Sequence, residues 1–222
     1  MTQDIAICFV KTPGLSPLKT RLSAKIGKEK AEEFYHKSVA AISETLALLE
    51  KKHDFKVYWA VAEKEALSHK MWSNFECLWQ GEGGLGDRLA SIEEQLPDAV
   101  NIYYIGADAP QITHSDFVEA RDCLAGSDFF LCPSEDGGYW LYAGRKKIGS
   151  NVWLSVPYSK DDTFKVFKEK LEELGSFVSG KTLRDVDYFE DLVGLKSTLS
   201  NVSEKNKSQS KLCDWLSLEF KL

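Results

Sequence analysis

Three cationic side chains lie in and beside one loop near the start of the chain, residues 11–22. They are Lys11, Lys19 and Arg21. The loop follows the apolar run of residues 5–10, which predicts a strand covered on both faces. Two prolines and a glycine keep the loop out of regular structure. Cations at the end of a strand outline a phosphate-binding loop, but the pattern G-x-x-x-x-G-K-[ST] is absent, so spacing alone favours a solvated surface loop.

A carboxylate follows a second apolar run. The β-branched and aromatic residues 102–105 predict a buried strand that stops at Gly106, and Pro110 prevents it from continuing. Asp108 lies between these two positions, and in an open α/β sheet the ligand site lies at the carboxyl ends of the strands. Asp108 is therefore a candidate ligand-binding residue, and on this stretch alone a turn-forming aspartate is an equal alternative.

Two more aspartates, Asp185 and Asp187, flank Val186. In an extended segment alternation places both carboxylates on one face. Like charges placed that way repel each other unless water or a cation separates them. The pattern therefore allows either a metal site or an open, solvated edge.

Glycine-rich turns contain the remaining candidates. Gly83 and Gly86 belong to residues 80–89, where four glycines let the backbone approach a ligand closely or adopt positive φ. The run is not G-x-G-x-x-G, so a flexible connection is the alternative. Asp136 begins an Asp-Gly-Gly turn between two apolar runs, which by itself indicates a hairpin. Its position also allows it to face an acceptor molecule.

These candidate residues can form one site only if the strands that precede them end on the same edge of a sheet. Strand patterns alternate with amphipathic helical patterns, and this rhythm predicts an α/β fold with three α/β/α layers and a mostly parallel central sheet. Strands are predicted at residues 5–10, 55–62, 77–79, 101–105 and 128–132 and around residue 177. Helices are predicted at residues 28–51, 63–71, 86–96, 113–124 and 160–174 and from residue 190, with residues 150–159 irregular.

Composition excludes several classes of protein. With 222 residues and 43% apolar content the chain can bury one full core, and its net charge of −6 argues against nucleic acid as a partner. No apolar run approaches a membrane span, and the start is too acidic for a signal peptide, so we expect a cytoplasmic protein. The five scattered cysteines, never paired as C-x-x-C, predict buried thiols.

The end of the chain differs in composition from the rest. Residues 201–211 are polar and charged, which predicts a linker between a domain of residues 1–200 and an amphipathic helix of residues 212–222. The apolar face of that helix must dock on its own domain or on a partner chain. The sequence thus allows a homodimer through this helix. The face consists of Leu212, Trp215, Leu216 and Phe220.

Six segments in order resemble a known family. They are FVKTPGLSPLKTRL, QGEGGLGDRL, IGADAP, CPSEDGGYWL, VPYS and LRDVDYFEDL, and the resemblance spans residues 5–192. The family is DUF2064, a domain of unknown function with a glycosyltransferase-A-like fold, whose members are named transferases associated with radical-SAM and selenoprotein domains. It is similar to 2-phospho-lactate guanylyltransferase and to sugar-nucleotide and molybdopterin nucleotidyltransferases.

The resemblance implies a nucleotide bound at the carboxyl ends of the strands. It implies that Asp108 and Asp187 hold Mg²⁺ or Mn²⁺ and that the basic loop takes the place of a triphosphate-binding loop. We therefore expect catalytic roles for Asp108 and Asp187, and we expect one for Asp136 from its position beside flexible glycines. The residues expected to contact the nucleotide are Lys11, Lys19, Arg21, Gly83 and Gly86.

Three activities stay open at this point. The first is nucleotidyl transfer from an NTP to a small phosphorylated or sugar acceptor, and the second is glycosyl transfer from a nucleotide-diphospho-sugar. The third is nucleotide binding without catalysis. The chain departs from the family pattern at Ser16, Gly84 and Tyr158, and these departures leave the identity of the substrate open.

Overall fold

One sheet of seven strands forms the centre of the protein, for which a computed structural model describes residues 2–98 and 100–221. The order across the sheet is β3-β2-β1-β4-β6-β5-β7. Only β6 runs antiparallel to its neighbours, and every other pair of adjacent strands is parallel. The strands are β1 Gln3–Val10, β2 Phe55–Val61, β3 Glu76–Trp79, β4 Val100–Gly106, β5 Phe129–Pro133, β6 Tyr139–Gly144 and β7 Phe177–Ser179.

Helices cover both faces of this sheet. One face packs against α2 and α4 and the other against α3, α5 and α6, which confirms the predicted three-layer α/β/α fold. The remaining helices, α1, α7 and α8, share a third apolar cluster with α2. The helices are α1 Thr20–Ile26, α2 Lys28–His53, α3 Leu85–Gln95, α4 His114–Leu124, α5 Ser150–Leu154, α6 Thr163–Leu174, α7 Phe189–Asn201 and α8 Lys207–Phe220.

The central strand β1 shows why its apolar run is continuous. Ala6 and Cys8 belong to the core on one face of the sheet, and Ile5 and Ile7 belong to the core on the other face. Side chains alternate between faces in a strand, so a strand covered on both faces must be apolar at consecutive positions. The neighbouring strand β4 divides its side chains between the same two cores.

Three local predictions need correction. The loop of residues 11–22 ends in a helix, because α1 begins at Thr20 and its Leu22 is fully buried. The helix predicted at residues 63–71 consists of two short 3₁₀ turns, Lys64–Ala66 and Lys70–Trp72. The irregular residues 150–159 contain the one-turn helix α5, held by the fully buried Trp153. Elements this short show too few repeats for periodicity to reveal them.

The predicted linker of residues 201–211 is mostly helical. α7 extends to Asn201 and α8 begins at Lys207, so residues 202–206 alone connect them. The polar side chains that indicated a solvated linker instead form hydrogen bonds to α2. One of these bonds runs from Asn206 Nδ2 to the Ala41 carbonyl at 2.8 Å. Leu212 and Leu216 are fully buried in the third apolar cluster. The face proposed for a homodimer thus docks largely on its own domain, and dimerisation stays a prediction.

No helix within the described part of the chain is long and apolar enough to cross a membrane.

Candidate active site

The carboxyl ends of β1 and β4 place two loops side by side. The two strands are adjacent and parallel, and their last paired residues are Phe9 and Gly106. Lys11 and Asp108 each lie two positions beyond that pair. Parallel strands end on the same edge of a sheet, so both loops open toward the same side. The Asp108 side chain is half exposed there, at 51%.

Lys19 joins the two aspartates that the sequence singled out. Its backbone adopts a left-handed conformation with φ of 43°, and its side chain is only 4% exposed. The ammonium forms an ion pair with Asp108 Oδ1 and lies 3.8 Å from Asp187 Oδ1. It also donates to the Val186 carbonyl at 2.5 Å. The structure therefore brings Asp108 and Asp187, far apart in sequence, to one shared cation.

Backbone contacts attach the Asp187 segment to the Asp108 loop. The Val186 N–H donates to the Asp108 carbonyl at 3.2 Å, and Gln111 Nε2 donates to the Arg184 carbonyl at 2.8 Å. The Val186 side chain is fully buried in the third apolar cluster, which anchors the segment between its two aspartates. These contacts hold the backbone of the Asp187 segment beside the loop that carries Asp108.

Asp185 was noted in the sequence only as the partner of Asp187 in an alternating pair, and the structure gives it an environment of its own. Its Oδ1 atom is buried and has no hydrogen-bond partner among the described residues. Burial, followed by the negative charges of Asp108 and Asp136, raises the pKa of the Asp185 carboxyl from 3.8 to about 7, although Lys19 opposes the shift. The alternation of Asp185 and Asp187 was a usable signal, but it did not reveal which of the two is desolvated.

The other cations of the basic loop occupy different environments. Arg21 Nη1 contacts Asp187 Oδ2 at 2.9 Å, and its guanidinium lies 5.5 Å from the centre of the Tyr188 ring. The Arg21 side chain is 60% exposed. Lys11 is exposed, while its backbone N–H donates to the Tyr35 hydroxyl at 2.9 Å. The structure therefore places Lys19 and Arg21 at the aspartates and leaves the Lys11 side chain in solvent.

Asp136 closes the hairpin between β5 and β6. Its Oδ1 atom accepts hydrogen bonds from Ser134 Oγ at 2.8 Å and from the Gly138 N–H at 3.0 Å. It also borders a cleft of about 200 Å³ next to the shared cation. The cleft is lined by five carboxylates, two guanidiniums and one ring, those of Glu135, Asp136, Asp185, Asp187, Asp191, Arg21, Arg184 and Tyr188. Asp136 thus has a turn-forming role and a place at the acidic cleft.

The glycine loop serves mainly local structure and packing. Gly86 is buried, and a Cβ atom there would lie 2.7 Å from the Trp153 carbonyl oxygen, so this glycine lets α3 approach α5. Gly83 has a φ of +90° and its carbonyl accepts from Arg88 Nε at 3.2 Å. The burial of Gly86 does not support its predicted contact with a nucleotide. Gly83 is exposed, and its predicted contact stays a prediction.

The acidic residues have the oxygen ligands that hard cations prefer. Within residues 2–98 and 100–221, no three His, Cys, Asp or Glu side chains are grouped so as to hold a metal ion by themselves. Mg²⁺ is commonly held by one or two carboxylates together with substrate phosphates and water. Asp108 and Asp187, which share one cation and are both partly exposed, fit that mode of binding.

Solved structures with this fold include enzymes that act on nucleotides. A proposed nucleotide-diphospho-sugar transferase from Desulfovibrio desulfuricans G20 is 23% identical with a TM-score of 0.84, covering 99% of each chain. A cytidylyltransferase from Leptospira borgpetersenii is 16% identical with a TM-score of 0.57, covering 100% of this chain and 96% of that one. The 4-diphosphocytidyl-2C-methyl-D-erythritol synthase of Anaerococcus prevotii is 11% identical with a TM-score of 0.57, covering 90% and 97%. At these identities the likeness defines a shared fold.

The chain belongs to the DUF2064 family, described as uncharacterized proteins conserved in bacteria, whose sequence profile matches residues 45–160. The matched range contains Asp108 and Asp136, whereas Lys19 and Asp187 lie beyond its two ends. A comparison with curated proteins found no match.

Proposed function

We propose that this protein is a metal-dependent transferase of the nucleotidyltransferase type, which transfers a nucleotidyl group from an NTP to a small phosphorylated or sugar acceptor. The observation that carries the proposal is the single ammonium of Lys19 shared by Asp108 and Asp187 beside the ends of β1 and β4. A site that binds phosphates through a cation needs carboxylates and basic groups together in one place, and both are present at the ends of these strands.

In this proposal Asp108 and Asp187 would hold Mg²⁺ or Mn²⁺, and the nucleotide phosphates would complete the set of oxygen ligands. The metal ion, when bound, would supply charge stabilisation for the phosphates during transfer. Lys19 and Arg21 turn from the carboxylates to the phosphates and neutralise the remaining charge. The exposed Lys11, which follows β1, reaches the outer phosphates. Such catalysis depends on positioning and charge, so it requires no nucleophilic side chain.

The acidic cleft beside these residues would receive the acceptor. Asp136 lies at its border on a rigid hairpin, held by Ser134 and Gly138, and could orient an acceptor hydroxyl. Arg184, which lies between β7 and α7, forms an ion pair with Glu135 at 2.7 Å. A small polar acceptor suits a cleft of about 200 Å³ lined almost entirely by charged groups.

Glycosyl transfer is the second candidate. It is favoured by the high TM-score, 0.84 over 99% of both chains, to a proposed nucleotide-diphospho-sugar transferase. In that reaction the bond broken is the anomeric C–O bond of the sugar, and a diphosphate needs fewer cations than a triphosphate. Nucleotide binding without turnover is the third candidate.

Binding and turnover measured with NTPs, NDPs and UDP- or GDP-sugars in the presence of Mg²⁺ test the proposal. Nucleotidyl transfer predicts NTP preference with release of pyrophosphate, whereas glycosyl transfer predicts release of NDP from a sugar nucleotide. Asp108→Asn should abolish metal-dependent turnover and leave folding intact, because the amide keeps the shape and removes the charge. Asp98→Asn is the matched control, since the Asp98 side chain is 95% exposed before the amino end of β4.

Lys19→Met should weaken NTP binding by about tenfold or more, because one charge-assisted contact to phosphate is lost. Unchanged NTP affinity in both Lys19→Met and Arg21→Ala would remove the basic loop from the site.

A further inference from the structure

The first turn of the C-terminal helix α8 is bonded to the loop that carries Asp108. Gln209, only 1% exposed, donates from Nε2 to the Pro110 carbonyl at 2.9 Å and to the Ile112 carbonyl at 2.8 Å. Its Oε1 atom accepts from the Asn206 N–H at 3.0 Å. Every polar atom of this buried amide therefore has a partner. A buried amide is costly unless paired, so these bonds are a specific feature of the docked helix.

Donors from other segments of the chain supply most of the hydrogen bonds to the carbonyls of residues 107–112. Pro110 ends the ladder of β4, and the carbonyls beyond the strand must find other donors. Ser38 Oγ on α2 donates to the Ala107 carbonyl at 2.6 Å, and Val186 N–H donates to the Asp108 carbonyl at 3.2 Å. Gln209 donates to the Pro110 and Ile112 carbonyls, and the Ile112 carbonyl also accepts from Thr45 Oγ1 on α2 at 3.2 Å. The loop is thus held at one end by α2, at its centre by the acidic segment, and at the other end by α8 together with Thr45.

We propose that Gln209 is a positioning residue for the Asp108 carboxylate, an inference that rests on the proposed function of this site. Gln209 touches neither Lys19 nor Asp187, and it acts through the backbone of residues 109–112. Loss of its two donors leaves the Pro110 carbonyl without a donor among the described residues and leaves the Ile112 carbonyl with the Thr45 hydroxyl alone, at 3.2 Å. The loop then shifts to expose the Pro110 carbonyl to water. Asp108 then moves relative to Lys19 and Asp187, and the shared cation site loses its geometry. The C-terminal helix is therefore part of the site's support.

Two variants separate this role from ordinary docking of the helix. Gln209→Met keeps an unbranched side chain of similar length in the buried position and removes both donors. Ser208→Ala removes a bond between α8 and α2, Ser208 Oγ to Glu44 Oε1 at 2.7 Å, and leaves the loop contacts in place. Both variants weaken the attachment of α8, but only the first removes support from the loop that carries Asp108.

Hydrogen exchange of the full chain is the first measurement. We expect the amides of Ala109 and of residues 111–113 to exchange about tenfold faster in Gln209→Met than in the wild type, because one to two hydrogen bonds are lost. In Ser208→Ala, exchange in that loop should match the wild type. Equal changes in both variants, or a loop unaffected by Gln209→Met, would overturn the proposal.

Binding of Mn²⁺ alone, followed by electron paramagnetic resonance, is the second measurement. Mn²⁺ affinity should fall about tenfold in Gln209→Met and stay unchanged in Ser208→Ala. If Mn²⁺ binds all three proteins equally, the positioning role is wrong. If the wild type binds Mn²⁺ neither alone nor together with an NTP, the proposed metal site is wrong, and the exchange measurement decides the positioning role by itself.

Discussion

Two loops of this protein carry residues that sequence patterns marked for a ligand, and the fold uses them differently. In residues 11–22, Lys19 turns inward and pairs with carboxylates from two other segments. In residues 80–89, Gly86 is buried against the Trp153 carbonyl, where a Cβ atom would not fit. The first loop collects charge, and the second allows close approach of two helices.

The difference follows from what each residue type requires. A cation with only 4% of its side chain exposed needs an opposite charge nearby, so Lys19 in a loop at a strand end points to its partners. A glycine is needed wherever a Cβ atom would not fit, and the group that takes its place can be either a ligand or a neighbouring stretch of backbone. Charge patterns are therefore better indicators of a site than glycine patterns. Three substitutions sharpen this comparison.

Asp185→Asn has the largest expected effect. A folded-state pKa of about 7 against an ordinary value of 3.8 means that the folded protein holds a proton which the unfolded chain has lost. Stability is therefore lost as pH rises from about 4 to 7, and the full penalty is present above pH 7. Removing the carboxylate should raise the free energy of unfolding by about 2–4 kcal/mol at pH 8 and by about zero near pH 4. Urea denaturation of the wild type and of Asp185→Asn at pH 4 and pH 8 measures this difference in the free energy of unfolding.

Asp187→Asn is the control for that experiment. Its carboxylate is 41% exposed and contacts both Arg21 and Lys19. Asp187 is the smallest of the causes that raise the pKa of Asp185, so loss of the two ion pairs should offset the relieved repulsion and bring no net gain in stability at pH 8. An Asp185→Asn protein that is destabilised equally at both pH values would show that the carboxyl is not held in its neutral form.

Gly86→Ala comes next in size. The added Cβ would lie 2.7 Å from the Trp153 carbonyl oxygen, which forces α3 and α5 apart. Overpacking of this kind should lower the free energy of unfolding by about 1–3 kcal/mol. Gly84→Ala is the control, because its φ is −78° and the nearest side-chain atom is 3.6 Å from the added Cβ. Weaker nucleotide binding by a Gly86→Ala protein of unchanged stability would instead place a ligand at this backbone.

Asp136→Asn has the smallest expected effect on stability, within about 0.5 kcal/mol. The amide oxygen can still accept from Ser134 and Gly138, so the hairpin is kept. The lost charge should lower the pKa of Asp185, since the Asp136 carboxylate is one of the causes that raise it. Carbon-detected NMR titration of the Asp185 carboxyl measures this. A pKa that does not move would place Asp136 too far from the acidic site to take part in it.

Local sequence patterns determined most of the elements of this fold. Apolar runs identified β1 and β4, and the long amphipathic repeat identified α2, because burial of a face imposes a period on the chain. The start of α4 was also readable, since Asp116 accepts from the Thr113 N–H at 2.8 Å within the same turn. These features involve residues close in sequence, so their physical causes are present in any short window of the chain.

The tertiary structure alone decided how the site is assembled. Lys19 is bonded to Val186 across 167 positions of the chain, and Gln209 is bonded to Pro110 across 99. The raised pKa of Asp185 comes from burial and from charges on other segments, neither of which its neighbours in sequence specify. The sequence shows where along the chain a charged residue lies. Desolvation of its side chain depends on which residues, distant in sequence, exclude water from it.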